Sequence, residues 1–540
     1  MLLHPIGFLK AAAAGVTWTY DLDFKAGDSL PWTLSRGSTA TVLDHEGFVR
    51  DCLSGEVRRR GHRRVYNFFP SSGTPATQSP TVVVGARYVF FFRDGGGSGS
   101  YALTGAATAT VAEGEAFSFT ASTTTLTCTL SGTPGGSATV QLEETSGLAS
   151  TAPSEYVDSA TTYNAGVSAV QYFSTTNGNS WGGGGSPGPA AITEAAGSAI
   201  SSSTLKGLLL EPARTNNAKQ NTNVGGASPW SDSSTLSITA DATQSPDGRS
   251  DGNYLEETAV NNNHFSRQTI NLTGQNGNPY VNSIYGKEAQ RKWTAMQHTG
   301  GGGAKGWFDV DSTPALGTMG SGVTGAVKAA ANNFARATMQ WVVGTGSNSD
   351  FYVHVQSADN QNAYLGVVGN GLYAWGAQFE AGRYVTSLIR TVASDVTRAA
   401  DVVLTGVTMP DDFTLILEFE AEQLAVSTST RVLAAAGANR YLYLDGATLK
   451  LTNGTQTISS TVTIVAGQLH KVAITDDGSS MSIMVDAETP VTDANAWAAA
   501  SDTLKVGCDA SSANQAGMTI GALRWTASVL STAERQAETT

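Results

Sequence analysis

Charge is what this sequence has least of. Only 14% of its 540 residues are Asp, Glu, Lys or Arg, against roughly 25% in an average soluble protein. The charge present leans acidic, with 32 Lys and Arg against 45 Asp and Glu and a net charge of −13. Binding a phosphate backbone needs a basic surface, so nucleic acid is excluded as the main partner. Cysteine is also scarce. Cys52, Cys128 and Cys508 are odd in number and far apart, which excludes a disulfide framework and any zinc-ligand spacing. Free thiols suit assembly in a reducing cytoplasm. No run is long and apolar enough to span a bilayer, so no membrane insertion is expected. The start, Met1 to Leu9, lacks a basic n-region and Lys10 interrupts its apolar run, so a cleaved signal peptide is not expected.

Catalytic signatures are missing as well. There is no P-loop and no dinucleotide-binding glycine fingerprint. His4, His45, His62, His264, His298, His354 and His470 are scattered, without metal-ligand spacing. No EF-hand loop is present. The acidic pairs Asp309/Asp311, Asp476/Asp477 and Glu143/Glu144 are the candidates for glycoside hydrolysis, which needs two carboxylates across a cleft. Neighbours on one strand point to opposite faces, so Glu143 and Glu144 cannot form that pair alone. Asp476-Asp477-Gly478 reads as a hairpin turn. The expectation is therefore no catalytic residue, no metal and no cofactor: not an enzyme.

What is abundant is glycine, 60 residues or about 11% against roughly 7% usually, together with Ser, Thr and short apolar runs. That composition points to an all-β chain, and its length to about two to four domains. Residues 1–60 read as a docking or lead-in region, with strands near Trp18–Phe24 and Trp32–Val42. Arg58 to Arg64 is the only dense basic cluster, read as a solvated, subunit-facing loop; contact with an acidic neighbour or anionic glycan is the alternative. Residues 61–160 form a first module, with strands at Thr81–Val84, Tyr88–Phe92, Ala116–Phe119, Thr125–Leu130 and Ala138–Glu143. Residues 161–206 connect, through a strand at Gly166–Phe173 and a Gly/Pro-rich loop at Trp181–Pro189. Residues 207–400 form a second module opening on Leu208-Leu209-Leu210, a buried strand that Pro212 stops. Arg214 is expected to tie that strand end to a loop. Residues 401–540 alternate cleanly at Phe413–Glu420, Tyr441–Leu444, His470–Ile474 and Met481–Asp486, and end in one helix capped by Ser531 with Glu534 three residues on.

The two modules repeat one pattern. Arg64-Val65-Tyr66-Asn67 and Arg214-Thr215-Asn216 stand at the openings, and Val140-Gln141-Leu142-Glu143 and Ala374-Trp375-Gly376-Ala377-Gln378-Phe379-Glu380 near the ends, with Gln-apolar-Glu in common and each followed about ten positions on by a Ser among apolar residues. The segments Leu208-Leu209-Leu210-Glu211-Pro212-Ala213-Arg214-Thr215-Asn216 and Ser35-Arg36-Gly37-Ser38-Thr39-Ala40-Thr41 resemble segments of tailed-bacteriophage virion proteins, where the first opens and the second precedes a jelly-roll, carbohydrate-binding-module-like domain. The order of strands after residue 401 resembles a laminin-G/concanavalin-A-like lectin sandwich. These resemblances imply tandem jelly-roll/β-sandwich modules with a C-terminal lectin-like sandwich, in a virion protein assembled in the host cytoplasm. Its expected role is a tail fibre, tail tip or head fibre, presenting glycan-binding modules for host attachment. The alternatives are a capsid-decorating or neck protein without a receptor role, and a polysaccharide depolymerase. The expected partners are other virion proteins, host-surface glycan and copies of the chain itself in a homotrimer. Trp293 and Trp307 are candidate sugar-stacking aromatics, and the polar tips with Arg440, Asp445 and Asn453 are candidate glycan contacts; Trp375, in an apolar run, reads as core.

Overall fold

The computed structural model describes residues 16–26, 30–148, 153–164, 167–174, 200, 203–233, 235–300, 302–344, 348–422, 431–436, 440–497, 503–508 and 516–540. The Trp181–Pro189 loop, the first fifteen residues and the tip at 509–514 lie outside these. The chain is all-β, built as antiparallel sandwiches, with a single α-helix among the described residues, Thr532–Thr539. That helix has the expected capping box: the Ser531 side chain accepts from Glu534 N and the Glu534 side chain from Ser531 N.

The first sandwich pairs Glu115–Thr120, Arg87–Arg93 and Thr139–Glu144 in one three-stranded sheet. Leu126–Ser131, Ser100–Gly105 and Ala109–Ala112 form the other. Alternation along Arg87–Arg93 sends Tyr88, Phe90 and Phe92 into the core beside Phe69 and Tyr101. Tyr101 meets Phe92 edge-on at 4.9 Å. Thr81–Val84 is not a strand: Thr81 makes only an isolated bridge to Thr125.

The second sandwich faces two six-stranded sheets over a core that includes Met296, Phe308, Trp341, Phe351 and Phe379. The long strands Pro279–Glu288 and Gly371–Ala381 lie side by side in one of them. Trp375 is fully buried, in a small cluster with Val49, Tyr285, Phe334 and Leu388.

The C-terminal sandwich stacks an eight-stranded on a seven-stranded sheet, and it is assembled from distant parts of the chain. Tyr20–Asp23 pairs with Ala522–Trp525, and Thr33–Ser35 with Val402–Leu404. Tyr20–Asp23 and Thr33–Ser35 are therefore strands of this sandwich and not parts of a separate lead-in. The leucine strand, Gly207–Leu210, also joins it and does not open the second module. Leu208 to Leu210 pair with Ile520 to Met518 on one side, and Gly207–Leu208 pair with Arg59–Arg60 on the other. A side chain at Gly207, at φ +103°, would stand 2.2 Å from Ile520 O, so the strand enters on a glycine. Leu208 and Leu210 face the large core, while Leu209 faces a smaller cluster of Val42, Cys52, Val167, Val170 and Tyr172. Hydrophobic pattern marks such a segment as a buried strand but says nothing of which sheet edge it completes.

The repeat is realised in hydrogen bonds. Asn67 Nδ2 donates to Val140 O and Val157 O (3.1 and 2.8 Å), and its Oδ1 accepts from Phe69 N and Leu142 N, both at 3.0 Å. Asn216 Nδ2 donates to Ala377 O and Ile389 O (3.2 and 2.9 Å), and its Oδ1 accepts from Ala218 N and Phe379 N (3.0 and 2.9 Å). Gln141 and Gln378 each accept one amide, from Val157 and Ile389, and donate to carbonyls in the following loop. Glu143 and Glu380 accept from Ser154 N and Thr386 N. Each opening strand then pairs with a late one, Arg63–Tyr66 with Val170–Phe173 and Arg214–Asn216 with Val396–Arg398. Each Asn thus satisfies four buried backbone groups at the closure of its sandwich. Asn67→Ala and Asn216→Ala should each destabilise the chain by about 3 kcal/mol, because the orphaned groups stay buried; urea unfolding measures it, and a loss under ~1 kcal/mol would remove the closure role.

Candidate functional site

The five residues singled out from sequence do not form one site. Trp293 and Trp307 sit on adjacent strands, Trp293–His298 and Lys305–Asp309, as same-face diagonal neighbours. Trp307 is not a surface platform. It is 5% exposed, its Nε1 donates to Gln361 O at 3.0 Å, and Lys305 Nζ lies 5.0 Å from its ring. Trp293 is partly buried, with Lys292 Nζ 5.8 Å from its ring. In the C-terminal sandwich, Arg440 and Asn453 stand at one end of the hairpin Tyr441–Asp445/Thr448–Thr452 and Asp445 at the other. Asn453 is used by its own turn, accepting from Thr455 N and Gln456 N and donating to Ala496 O. Asp445 pairs with Lys450 at 2.7 Å. Asp476 and Asp477 cap their hairpin as expected: Asp477 Oδ1 accepts from Ser479 N and Ser480 N, and Asp476 Oδ1 from Gly478 N.

The charged centre of the molecule lies elsewhere, where the sandwiches meet. The Arg58–Arg64 run is not a solvated loop. Arg58, Arg59 and His62 are buried, and Arg64 grips Glu56 with two hydrogen bonds of 2.7 and 2.8 Å. Tyr172 adds its hydroxyl to Glu56 at 2.6 Å. Arg58 Nη1 donates to Glu211 Oε2, Thr41 O and Ser387 Oγ at 2.7, 2.8 and 2.9 Å, and Nη2 donates to Asp401 Oδ2. Arg36 holds the other Asp401 oxygen at 2.8 Å, with both side chains 0% exposed. Arg398 Nη1 donates to Glu211 Oε2 at 2.5 Å and Nη2 to Pro212 O at 2.6 Å. The backbones of Glu211 and Asp401 lock together as well: Asp401 N donates to Glu211 O at 3.0 Å, and Glu211 N to Asp401 Oδ2 at 3.0 Å. It is Arg58 and Arg398 at Glu211, rather than Arg214, that tie the leucine strand down. Arg214 lies over the Tyr384 ring at 5.3 Å.

Burial by itself would raise the Glu211 carboxyl, but Arg398 and Arg58 outweigh it and hold it well below the usual carboxylate range. A second network stands beside the first. Arg390 donates to Asp51 Oδ1 and Asp247 Oδ2 at 2.6 and 2.7 Å, and Arg249 to both Glu144 oxygens at 3.0 Å and to Asp51 Oδ2 at 3.1 Å. It joins the hairpin Ala40–Leu43/Val49–Cys52 to both repeated modules. Cys52, on that hairpin, is sealed in: burial, with Glu56 adding to it, pushes its thiol up to about 12.

Between the hairpin, the second sandwich and the 383–388 segment lies a cleft of about 700 Å³, floored by Leu209 and Glu211. Its second-sandwich wall is the outer face of Thr324–Ala329 and Ala335–Val342. Among the described residues no three His, Cys, Asp or Glu gather as a metal-holding group. The sequence carried one signal for the junction: single charges set at the ends of apolar or Ser/Thr runs, Arg36, Glu211 and Asp401, in a chain short of charge.

No protein-family model and no curated protein matches the chain. Among solved structures it is similar to the mouse laminin alpha1 chain, domains LG4-5, at 10% identity and a TM-score of 0.16, over 57% of this chain and 91% of that one. So low a score supports nothing about function, and the all-β assignment stands on the strand pairing itself.

Because the folded-state pKa of Glu211 is depressed, its stabilisation is present above the unfolded value, roughly 4, and is lost as pH falls below it. Glu211→Gln should therefore cost about 3–5 kcal/mol at pH 7, leaving Arg58 and Arg398 buried and undercompensated. The gap from the parent should narrow progressively as pH falls below about 4. Melting temperatures of the two proteins across pH check this, and a gap independent of pH would contradict the assigned ionisation.

Proposed function

We propose that this chain is a structural protein of a tailed-bacteriophage particle that presents glycan-binding sandwiches for host attachment, at a tail fibre, tail tip or head fibre. The observation that carries the reading is where the phage-like segments lie. Arg36 and Thr41 of the first segment, Glu211 of the second, and Arg398 and Asp401 of the crossing after the second module all meet at the same buried junction. On this reading the shared segments form a chassis that sets the modules at fixed angles, and the module faces and clefts are left for recognition. The protein acts by binding, without catalysis, and works as a homo-oligomer, a trimer, docked on other virion proteins. Weak contacts to a repeated surface glycan then add through multivalency.

The receptor role cannot be tested by cutting off residues 401–540. That cut would strip the partners from Gly207–Leu210 and Tyr20–Asp23 and expose Leu208 and Leu210. The test uses the whole chain. Purified protein, trimeric by light scattering, should compete with particles for host cells and lower adsorption, and antibody against it should label a fibre or tip in electron micrographs. Capsid labelling without competition would favour a purely structural decoration.

A further inference from the structure

The wall of the junction cleft carries a registered ladder. Cross-strand pairing sets Tyr285, Arg336 and Lys328 in one row, Thr338 beside Ala326 in the next, and Gln340 beside Thr324 in the third. Directly opposed residues of an antiparallel pair share a face, and all of these line the cleft. Arg383 faces the same space from the loop that follows Gly371–Ala381.

Three of these side chains are cations without a carboxylate. Lys328 is exposed and Arg383 partly so, and neither has a hydrogen bond or ion pair among the described residues. Arg336 donates only to neutral oxygens, Thr386 O at 2.9 Å and Ser283 Oγ at 3.2 Å, while its Nε is buried without a partner. The Tyr285 ring lies 5.1 Å from its guanidinium. Two of the carboxylates at the cleft are already engaged, Glu211 by Arg58 and Arg398 and Glu422 by Arg60. The third, Glu46, stands 4.0 Å from His45. In a chain of net charge −13, three uncompensated cations around one cleft, Arg336 and Lys328 on the strand wall and Arg383 on the loop facing it, complement an anion. The volume falls in the range of small-ligand sites, about 300–1,000 Å³. The hydroxyl and amide groups of Thr324, Thr338 and Gln340 continue the row as donors and acceptors suited to a ligand rich in hydroxyls.

We infer that this cleft binds an acidic oligosaccharide, its anionic group held by Arg336, Lys328 and Arg383 and its hydroxyls by Thr324, Thr338 and Gln340. The inference rests on the glycan-attachment reading and names the ligand class and the place. It puts the ligand against the junction, away from the hairpin tips and from Trp293 and Trp307.

Calorimetry on the full chain tests it with three probes: oligogalacturonides for a carboxylate, phosphorylated dextran oligomers for a phosphate, and neutral dextran oligomers. One or both acidic probes should bind, the stronger identifying the acid group, with affinity falling as salt is raised. The neutral probe should not bind. Lys328→Gln with Arg383→Gln should weaken binding about tenfold or more at unchanged melting temperature, since neither side chain has a partner to lose. Ala326→Trp, on the exposed wall, should abolish binding by filling the cleft. Absence of binding by both acidic probes, or binding that survives the double variant and Ala326→Trp, overturns the inference. If the purified chain still competes for host cells in that case, glycan attachment stands and only the acidic cleft falls.

Discussion

Glu211, its side chain 4% exposed, accepts from two guanidinium groups. Everything at the meeting of the sandwiches is arranged around this carboxylate and its neighbour Asp401. Taking a carboxylate out of water costs several kcal/mol, and a network of this kind repays that cost only if every remaining lone pair and proton finds a partner. Here most of them do. Glu211 accepts from Arg58, Arg398, Ser387 N and Ser387 Oγ, and Asp401 from Arg36, Arg58 and Glu211 N. An apolar contact of the same area would hold the modules about as strongly but would tolerate sliding. Directional forks do not. The junction is best understood as fixing angles between modules more than as a source of net stability.

The leucine strand couples that junction to the rest of the chain. Over four successive residues, Leu208 enters the C-terminal core, Leu209 the hairpin cluster, Leu210 the C-terminal core again, and Glu211 the ionic centre. Alternation puts the two faces of one strand into two different hydrophobic environments. Because its sheet neighbours are Arg59–Arg60 and Met518–Ile520, the strand cannot form its sheet before both chain-distant segments are in place. The C-terminal sandwich and the junction are therefore one cooperative unit, not a domain joined to a linker.

Sequence reasoning reached the local structure and missed the partners. The strands at Tyr88–Phe92, Phe413–Glu420 and Met481–Val485, the Asp476–Gly478 turn and the Ser531 cap all follow from periodicity or turn chemistry, which act over a few residues. The Gln-apolar-Glu repeat was legible for the same reason, since one strand position dictates those residue types in both copies. The sheet that Gly207–Leu210 and Tyr20–Asp23 complete was not legible, because edge pairing is decided by distant segments that leave no local mark. Arg58 to Arg64 misled in a different way. A charge run ordinarily means a solvated face, and the carboxylates brought in from Glu56, Glu155, Glu211, Asp401, Glu420 and Glu422 reverse that reading. Trp307, a candidate sugar-stacking aromatic by sequence, is covered by the segment around Gln361.

The cleft inherits its shape from these constraints. Its second-sandwich wall is held by paired strands, its floor is the leucine strand, and its far side, the 383–388 segment, is pinned by Thr41 to Leu388 O and by Arg58 and Arg398 to Ser387. The opposing walls come from distant pieces that the ionic junction, the Arg390–Arg249 network and the cluster of Val49 with Trp375 and Leu388 bring together. A pocket between rigid sheets keeps its geometry better than one built on hairpin tips, whose side chains, like those of Asn453 and Asp477, are already committed to their own turns. The carboxylates that fix the modules, Glu211 and Asp401, also neutralise Arg58 and Arg398, and Glu422 neutralises Arg60. What remains uncompensated at the cleft is then set by the second module alone, through Lys328, Arg336 and Arg383. Orientation and charge selection are in this way largely separated: the Glu211 and Asp401 network holds the walls, while Lys328 and Arg383, free of that duty, face the space between them, and Arg336 serves both through its bond to Thr386 O.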